Sequence, residues 1–365
     1  MAERLKDQFF TRSSVNALAD TIKKFHTDFD KDTFIGLVFD RTWESKELKE
    51  MMRHTTECLH ATLPESYKDA LDILMKAAPH VKGFEALTLP DYVALYGMDD
   101  WDVSLLALGY FTKYATSELA VRPFLAKDQE RVMTWMRNWA EDPDPNVRRL
   151  ASEGCRPRLP WAMALPAFKK DPSPIRPILE ALKDDESEFI RRSVANNLND
   201  ISKDHPEWVL DICEEWIGRT KQTDDIIKHA CRGMLKAGHT RAMRLFGFGD
   251  PAHMRIEHFS LDKNAISIGD TVQFSFELIV GGEADSKVRL EYIVYFMKAN
   301  GKLSKKIFQI TENGYSPGSY TFRRKHAFID MTTRKHHAGR HEISVVVNGV
   351  EKAKTSLELK EKKSA

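Results

Sequence analysis

The chain has 365 residues, 42% hydrophobic and 30% charged, enough for two domains with full cores and inconsistent with a disordered composition. Its net charge of +1 excludes a global polycation, but residues 251–365 carry 19 Lys and Arg against 13 Asp and Glu, while the remainder carries 36 against 41. An acidic body with a basic tail can still bind nucleic acid through local patches.

Cys58, Cys155, Cys213 and Cys231 form no CxxC pair and have no metal-finger spacing. The N-terminus lacks an apolar signal core, and no run is long enough to span a bilayer. A soluble cytoplasmic protein with reduced, buried thiols and no membrane association is therefore expected.

Residues 1–60 read as helices. Leu5, Phe9 and Phe10 begin an apolar stripe, which Val15, Leu18, Ile22 and Phe25 continue at helical spacing. Asp32-Thr33 is a cap candidate for the segment bearing Phe34, Leu37 and Val38. A helix within 64–88 turns Tyr67, Ala70, Leu71, Ile73 and Leu74 inward, and an aromatic-rich stretch runs from Tyr92 to Trp101. Asp102 is the next cap candidate, for a helix with Val103, Leu106, Leu108 and Phe111 buried. On the same helix Tyr110, Tyr114 and Glu118 recur every fourth residue, with Arg122 one turn on as a local cation for Glu118. Core packing of the tyrosines and plain solvent exposure of Glu118 are the competing readings.

Residues 142–161, DPDPNVRRLASEGCRPRLPW, read as a turn, a helix and a Pro-broken exit. Each Pro lacks an N–H and restricts the residue before it, so Asp142-Pro143-Asp144-Pro145 cannot continue a helix. Asn146 is a cap candidate. Val147, Leu150 and Ala151 share an apolar face, while Arg149, Glu153 and Arg156 line another. A carboxylate with a guanidinium one turn to either side has two readings. One is a surface ion-pair ladder worth a few tenths, about 0.3 kcal/mol, per pair; the other is a functional row.

The element repeats. DPDPNVRRLASEG matches DDESEFIRRSVANN at an offset of 43, pairing Asp142 with Asp185, Val147 with Ile190, Arg148 with Arg191 and Arg149 with Arg192. Glu153 then falls on Asn196 and Arg156 on Asn199. A helix from Ile175 to Leu182 lies between the copies, entered through Pro172 and Pro174. A weaker third copy, TDDIIKHACRGMLKAG, carries Ile226, Ile227, Lys228 and Ala230. Two helices per unit, with Asp before a Val/Ile-Arg pair, indicate HEAT-like repeats stacked as an α-helical solenoid. The second helices line its concave wall, which puts the Arg149/Glu153/Arg156 row beside Arg192, Asn196, Asn199 and Asp200. Arg148 and Arg158 add to this basic lining, and Trp161 follows as a base-stacking residue or, alternatively, a core plug.

Gly247-Phe248-Gly249-Asp250-Pro251 breaks the helical pattern and sets the expected boundary between residues 1–250 and 251–365. Period-2 alternation follows, in 271–278, 288–296, 320–323 and 341–347, with turn signals at Gly281-Gly282, Asn300-Gly301, Asn313-Gly314 and Asn348-Gly349. About seven strands without a helix fit an all-β immunoglobulin-like sandwich. Its loop Arg334-Lys335-His336-His337, with Arg323, Arg324, Lys325, Lys305 and Lys306, can neutralise phosphates or remain a solvated charged loop. His336, His337 and His341 lack an acid or Cys to complete a metal site, and no metal is expected.

The segments LKDQFF, SELAVRPF, ASEGCRPRLPW and RRSVANNLND, with the all-β tail, resemble the AlkC group of DNA alkylation-repair glycosylases, HEAT-like-repeat relatives of AlkD. The resemblance covers nearly the whole chain. It implies excision of 3-methyladenine and 3-methylcytosine from duplex DNA in base excision repair, without drawing the base into a tight pocket. It also implies catalytic carboxylates at Glu118 and Glu153, with DNA-contacting or supporting roles for Arg149, Arg156, Trp161 and Asp200. The implied partner is alkylated double-stranded DNA; no cofactor and no obligate protein partner are expected. On fold alone a non-catalytic HEAT-repeat scaffold, or a sensor of alkylated DNA without turnover, is the alternative.

Overall fold

The computed structural model describes residues 8–331 and 334–362; Leu5, placed above in the N-terminal stripe, lies outside them. Two compact units divide between Ala230 and Cys231.

The first unit is helical: α1 (Arg12–Phe25), α2 (Lys31–Val38), α3 (Leu48–Thr62), α4 (Tyr67–Ala77), α5 (Thr88–Tyr96), α6 (Trp101–Phe111), α7 (Arg122–Lys127), α8 (Gln129–Trp139), α9 (Pro145–Gly154), α10 (Pro166–Lys170), α11 (Arg176–Leu182), α12 (Glu188–Ile201), α13 (Pro206–Trp216) and α14 (Lys221–Ala230). Helices α8/α9, α11/α12 and α13/α14 form three consecutive pairs. The second members α9, α12 and α14 pack side by side, as the repeat requires.

The repeat is physical as well as textual. Arg148 Nη1 donates to the carbonyls of Asp142 and Pro143, and Arg191 Nη1 to those of Asp185 and Glu186. The amides of Asp144 and Ser187 both donate to the Asp side chain two residues earlier. Each copy thus closes its turn with the same Asp, which takes an amide N–H at the helix start, and the same Arg, which satisfies the turn carbonyls before it.

Several local expectations shift. The caps are Asp30, Asp100 and Asp144, not Asp32-Thr33, Asp102 or Asn146. Asp144 wins because Pro145 fits the first helical position and has no N–H, leaving Asn146 N–H to the aspartate. Phe10, at φ 54°, and Phe9 precede α1 rather than join its stripe; Phe10 is nevertheless buried. Leu106 is 55% exposed. Helix α6 ends at Phe111, because Ser117 Oγ donates to the Leu108 carbonyl and folds the chain back. Tyr114 and Glu118 are therefore not on it, although the Tyr110 and Tyr114 rings still meet edge-on at 5.4 Å.

Among its described residues the second unit carries α15 (Arg232–Ala237), α16 (Thr240–Leu245) and eight strands, β1 (Met254–Leu261), β2 (Ala265–Ser267), β3 (Thr271–Val280), β4 (Ser286–Met297), β5 (Leu303–Tyr315), β6 (Gly318–Ala327), β7 (Gly339–Val347) and β8 (Val350–Lys360). They form a β1-β3-β6 sheet and a β2-β8-β7-β4-β5 sheet. The core between them holds Phe274, Phe276, Tyr292, Val294, Ile343, Val345 and Leu357. Strand β3 alternates as expected, whereas β4 is buried on both faces, including Arg289, Glu291 and Ile293. Asn348-Gly349 makes the β7–β8 turn with both residues at positive φ. Asn313-Gly314 lies within β5 instead of marking a turn.

Candidate active site

Helix α9 carries two members of the row. Val147, Leu150 and Ala151 are buried, which rotates Arg149 and Glu153 to one side, whereas Arg156 lies beyond the helix end at Gly154 and joins them through its ion pair with Glu153. Glu153 is itself only 2% exposed, so it is no surface ladder. Its Oε2 accepts from Arg156 Nη1 at 2.9 Å, and its Oε1 lies 3.9 Å from Arg149 Nη2. Gly154 ends the helix where a Cβ would meet Met136 Cε and Val121 Cγ1 at 3.0 Å. This bare position lets the 112–121 turn close onto α9.

That turn delivers Glu118. Its carboxylate is buried and forms an ion pair with Arg149 Nη1. The expected local partner, Arg122, faces elsewhere, donating from Nε to the Met163 carbonyl at 2.7 Å and from Nη1 to the Gly154 carbonyl at 3.0 Å. Arg149 therefore bridges two carboxylates from separate segments. Its guanidinium also stacks 4.5 Å above the ring of Phe189, which is half exposed. Burial lowers the Arg149 pKa below the usual arginine value.

The neighbouring repeat closes the other side. Asp200 is buried on α12, with Oδ2 4.0 Å from Arg156 Nε. The same oxygen accepts from the Arg158 amide at 2.5 Å, and Oδ1 accepts from Lys203 at 2.8 Å. Asp200 is thus the member of the α12 row brought to this cluster, with Ser193 Oγ to Ser152 Oγ and Asn197 Nδ2 to the Ser152 carbonyl, both 2.8 Å, stitching the helices, while Asn199 donates to the Ala230 carbonyl instead.

The exit strap, 155–165, projects Trp161. Its φ of 65° is rare for a bulky residue, and the ring is 56% exposed, so it is no core plug. Lys49 on α3 holds its carbonyl at 2.6 Å.

Other residues singled out from the sequence lie apart from this cluster. Arg148 is committed to Asp185 at 2.7 Å and to the turn carbonyls, and Arg158 to Asp204, whose pKa is lowered chiefly by that hydrogen bond. Arg192 is exposed and lines a cavity of about 300 Å³ with Glu188, Asp225 and His229; Asn196 Oδ1 lies 2.8 Å from His229 Nε2.

In the β-unit, Arg334, Lys335 and His337 line a cleft of about 420 Å³ with Lys298, Lys305 and Lys306. Arg334 stacks on Phe296 at 4.6 Å. His336 borders the cleft but is buried, held by Asp330 through Nδ1 and its own amide. Among the described residues no group of three or more His, Cys, Asp or Glu could hold a metal.

Phe189, Lys49 and the true role of Arg122 escaped the sequence reading. Phe189 had a faint signal, an aromatic where the first copy has Asn146; Lys49 had none, being 112 residues from Trp161.

Two family models match the chain: DNA alkylation repair enzyme over residues 14–234, and the C-terminal Ig-like domain of uncharacterised protein YhaZ over 255–361. The uncharacterized protein YhaZ of Bacillus subtilis (strain 168) is 43% identical over 343 residues, 94% of this chain and 96% of its own. Among solved structures, Pseudomonas fluorescens alkylpurine DNA glycosylase AlkC, bound to DNA containing an abasic site analog, matches with a TM-score of 0.93 and 37% identity, covering 98% of this chain and all of that one.

Proposed function

The chain belongs to the DNA alkylation repair enzyme family, and we propose that it is a DNA glycosylase of the AlkC type, excising cationic N3-alkylated bases, 3-methyladenine and 3-methylcytosine, from duplex DNA in the cytoplasm. No helix among the described residues is long and apolar enough to cross a membrane.

The observation that carries the reading is the pair of buried carboxylates, Glu118 and Glu153, joined through Arg149, with Trp161 exposed on the strap that follows the same helix. An N3-methylated base is already cationic and needs no general acid to leave. The C1′–N bond breaks with its electron pair going to the base, which departs neutral, and the sugar takes on oxocarbenium character. A fixed carboxylate near C1′ stabilises that charge and orients water, which adds at C1′ and gives up a proton to the carboxylate. Arg149 and Arg156 offset the repulsion between these carboxylates and the phosphates. Trp161 stacks on the opened duplex, and Asp200 fixes the strap and Arg156.

Arg192 and Asn196 extend the wall along the duplex, and the basic cleft of the β-unit (Arg334, Lys335, His337) takes phosphates. Arg148 and Arg158, committed to aspartates, and His336, held in the loop, support the scaffold instead.

The test is release of free base from methylated duplex DNA, wild type beside Glu153→Gln. Release of both bases by the wild type alone is expected. No release from folded wild type would favour a scaffold or a sensor without turnover.

A further inference from the structure

Arg122 opens α7 with its side chain fully buried. Among the described residues no carboxylate pairs with it; its partners are the two carbonyls of Gly154 and Met163. Nη2 is buried without a hydrogen-bond partner. A buried guanidinium without a counter-ion is a costly choice for joining two neutral carbonyls. The two carbonyls it joins explain its placement. Gly154 follows Glu153 directly and ends α9, and Met163 lies two residues beyond Trp161. One planar fork thus ties the residue before the strap 155–165 to a carbonyl near the strap's far end, at a point four residues after Glu118 in the chain. The bidentate reach and fixed geometry are properties of arginine that lysine lacks.

We propose that Arg122 is a positioning residue for base excision, locking the Trp161 strap to the end of the Glu153 helix so that stacking and carboxylate chemistry meet the same nucleotide. This rests on the glycosylase reading above. The rest of the strap agrees with it: the Arg158 amide is anchored on Asp200, and the Leu165 amide donates to the Pro157 carbonyl at 3.0 Å. Burial pushes the Arg122 pKa down to about 10, which leaves it cationic at neutral pH, with Cys155, Asp200, Glu153 and Arg156 the groups that feel its charge.

The experiment is a double-mutant cycle on single-turnover excision of 3-methyladenine, using wild type, Arg122→Lys, Trp161→Ala and the double variant, each checked for a cooperative melt. Lysine keeps the charge but cannot span both carbonyls. Arg122→Lys is expected to slow excision about 100-fold, the scale of a misplaced reacting group, while affinity for undamaged duplex changes less than threefold. The double variant is expected to lose no more than the worse single variant, because both act through one strap. Losses that multiply, or an Arg122→Lys rate within twofold of wild type, overturn the proposal while leaving the glycosylase reading intact. Absence of release by the wild type sinks both. Should Arg122→Lys fail to fold, Arg122→Gln, which retains two N–H donors, takes its place under the same criteria.

Discussion

In the helical unit Arg149 lies between Glu118 and Glu153; in the β-unit Arg289 lies between Glu291, at 2.7 Å, and Glu312, at 2.9 Å. The residue types match, but the settings do not. The β-unit triad joins adjacent strands β4 and β5 within one sheet, and its Arg is 5% exposed. The helical network draws on two segments that share no sheet, the 112–121 turn and α9, leaves Arg149 a quarter exposed, and is followed in the chain by a strap whose Trp161 is exposed at positive φ. A buried ion pair is weak evidence of anything by itself. Convergence from distant segments, partial access and neighbouring strain are what separate a site from a brace.

The sharpest way to break this comparison is to neutralise one carboxylate in each network. Glu153→Gln should cut excision about 10²–10³-fold with DNA affinity kept; equal excision would strip the α9 row of its chemistry. Glu291→Gln should do the reverse, with stability falling by about 3–5 kcal/mol in denaturant melts and excision per folded molecule unchanged. A loss of rate in that folded variant would erase the contrast.

Acid separates the two units further. His326 is buried among Tyr292, Phe308 and Phe328, and burial chiefly, then His336, Arg334 and Lys306, push its pKa from 6.5 to about 4. The folded state therefore binds fewer protons than the unfolded state in that window. Stability is full above pH 6.5 and falls as pH drops towards 4, by about 1.4 kcal/mol per pH unit. Thermal melts across that range should follow this slope, and His326→Phe should flatten it; an unchanged slope would acquit the histidine.

Smaller effects sharpen the division of labour. Replacing Arg334 and Lys335 together with Ala should make the plot of log affinity against log salt shallower by about 2, without changing lesion preference; an unaltered slope would remove the cleft from DNA binding. Trp161→Gly should relieve the left-handed backbone and raise stability by about 1 kcal/mol while weakening DNA binding. A fall in melting temperature would show that the ring is anchored rather than displayed.

What the sequence disclosed follows the range of the interactions. The 43-residue repeat was legible because its turn chemistry is local, written in Asp185 and Arg191 as in Asp142 and Arg148. The Arg149/Glu153 pair was legible because helix geometry aligns it; Arg156 lies past the end of α9 and joins them through its ion pair with Glu153. The family resemblance supplied Glu118 and Asp200, but not how they arrive. Glu118 reaches Arg149 only because Ser117 ends α6 early and Gly154 admits the returning turn. Periodicity instead carried the helix on to Arg122. Trp161 remained undecided because its exposure depends on one backbone angle, which no spacing encodes. The Asp caps lie two residues before the expected Asp32, Asp102 and Asn146, because neighbouring Asp, Asn and Thr compete for the same amides.

The buried thiols carry a further consequence, for the lifetime of the catalyst. Methylating agents that create cationic bases also attack sulfur, and the reactive form is the thiolate. Cys155 directly follows the α9 helix and Cys58 lies on α3; burial pushes both up to about 12. At neutral pH the thiolate fraction of such a group is on the order of 10⁻⁵. The helix that bears Glu153 thus ends on a sulfur atom, yet presents almost no nucleophile to the chemicals that alkylate DNA.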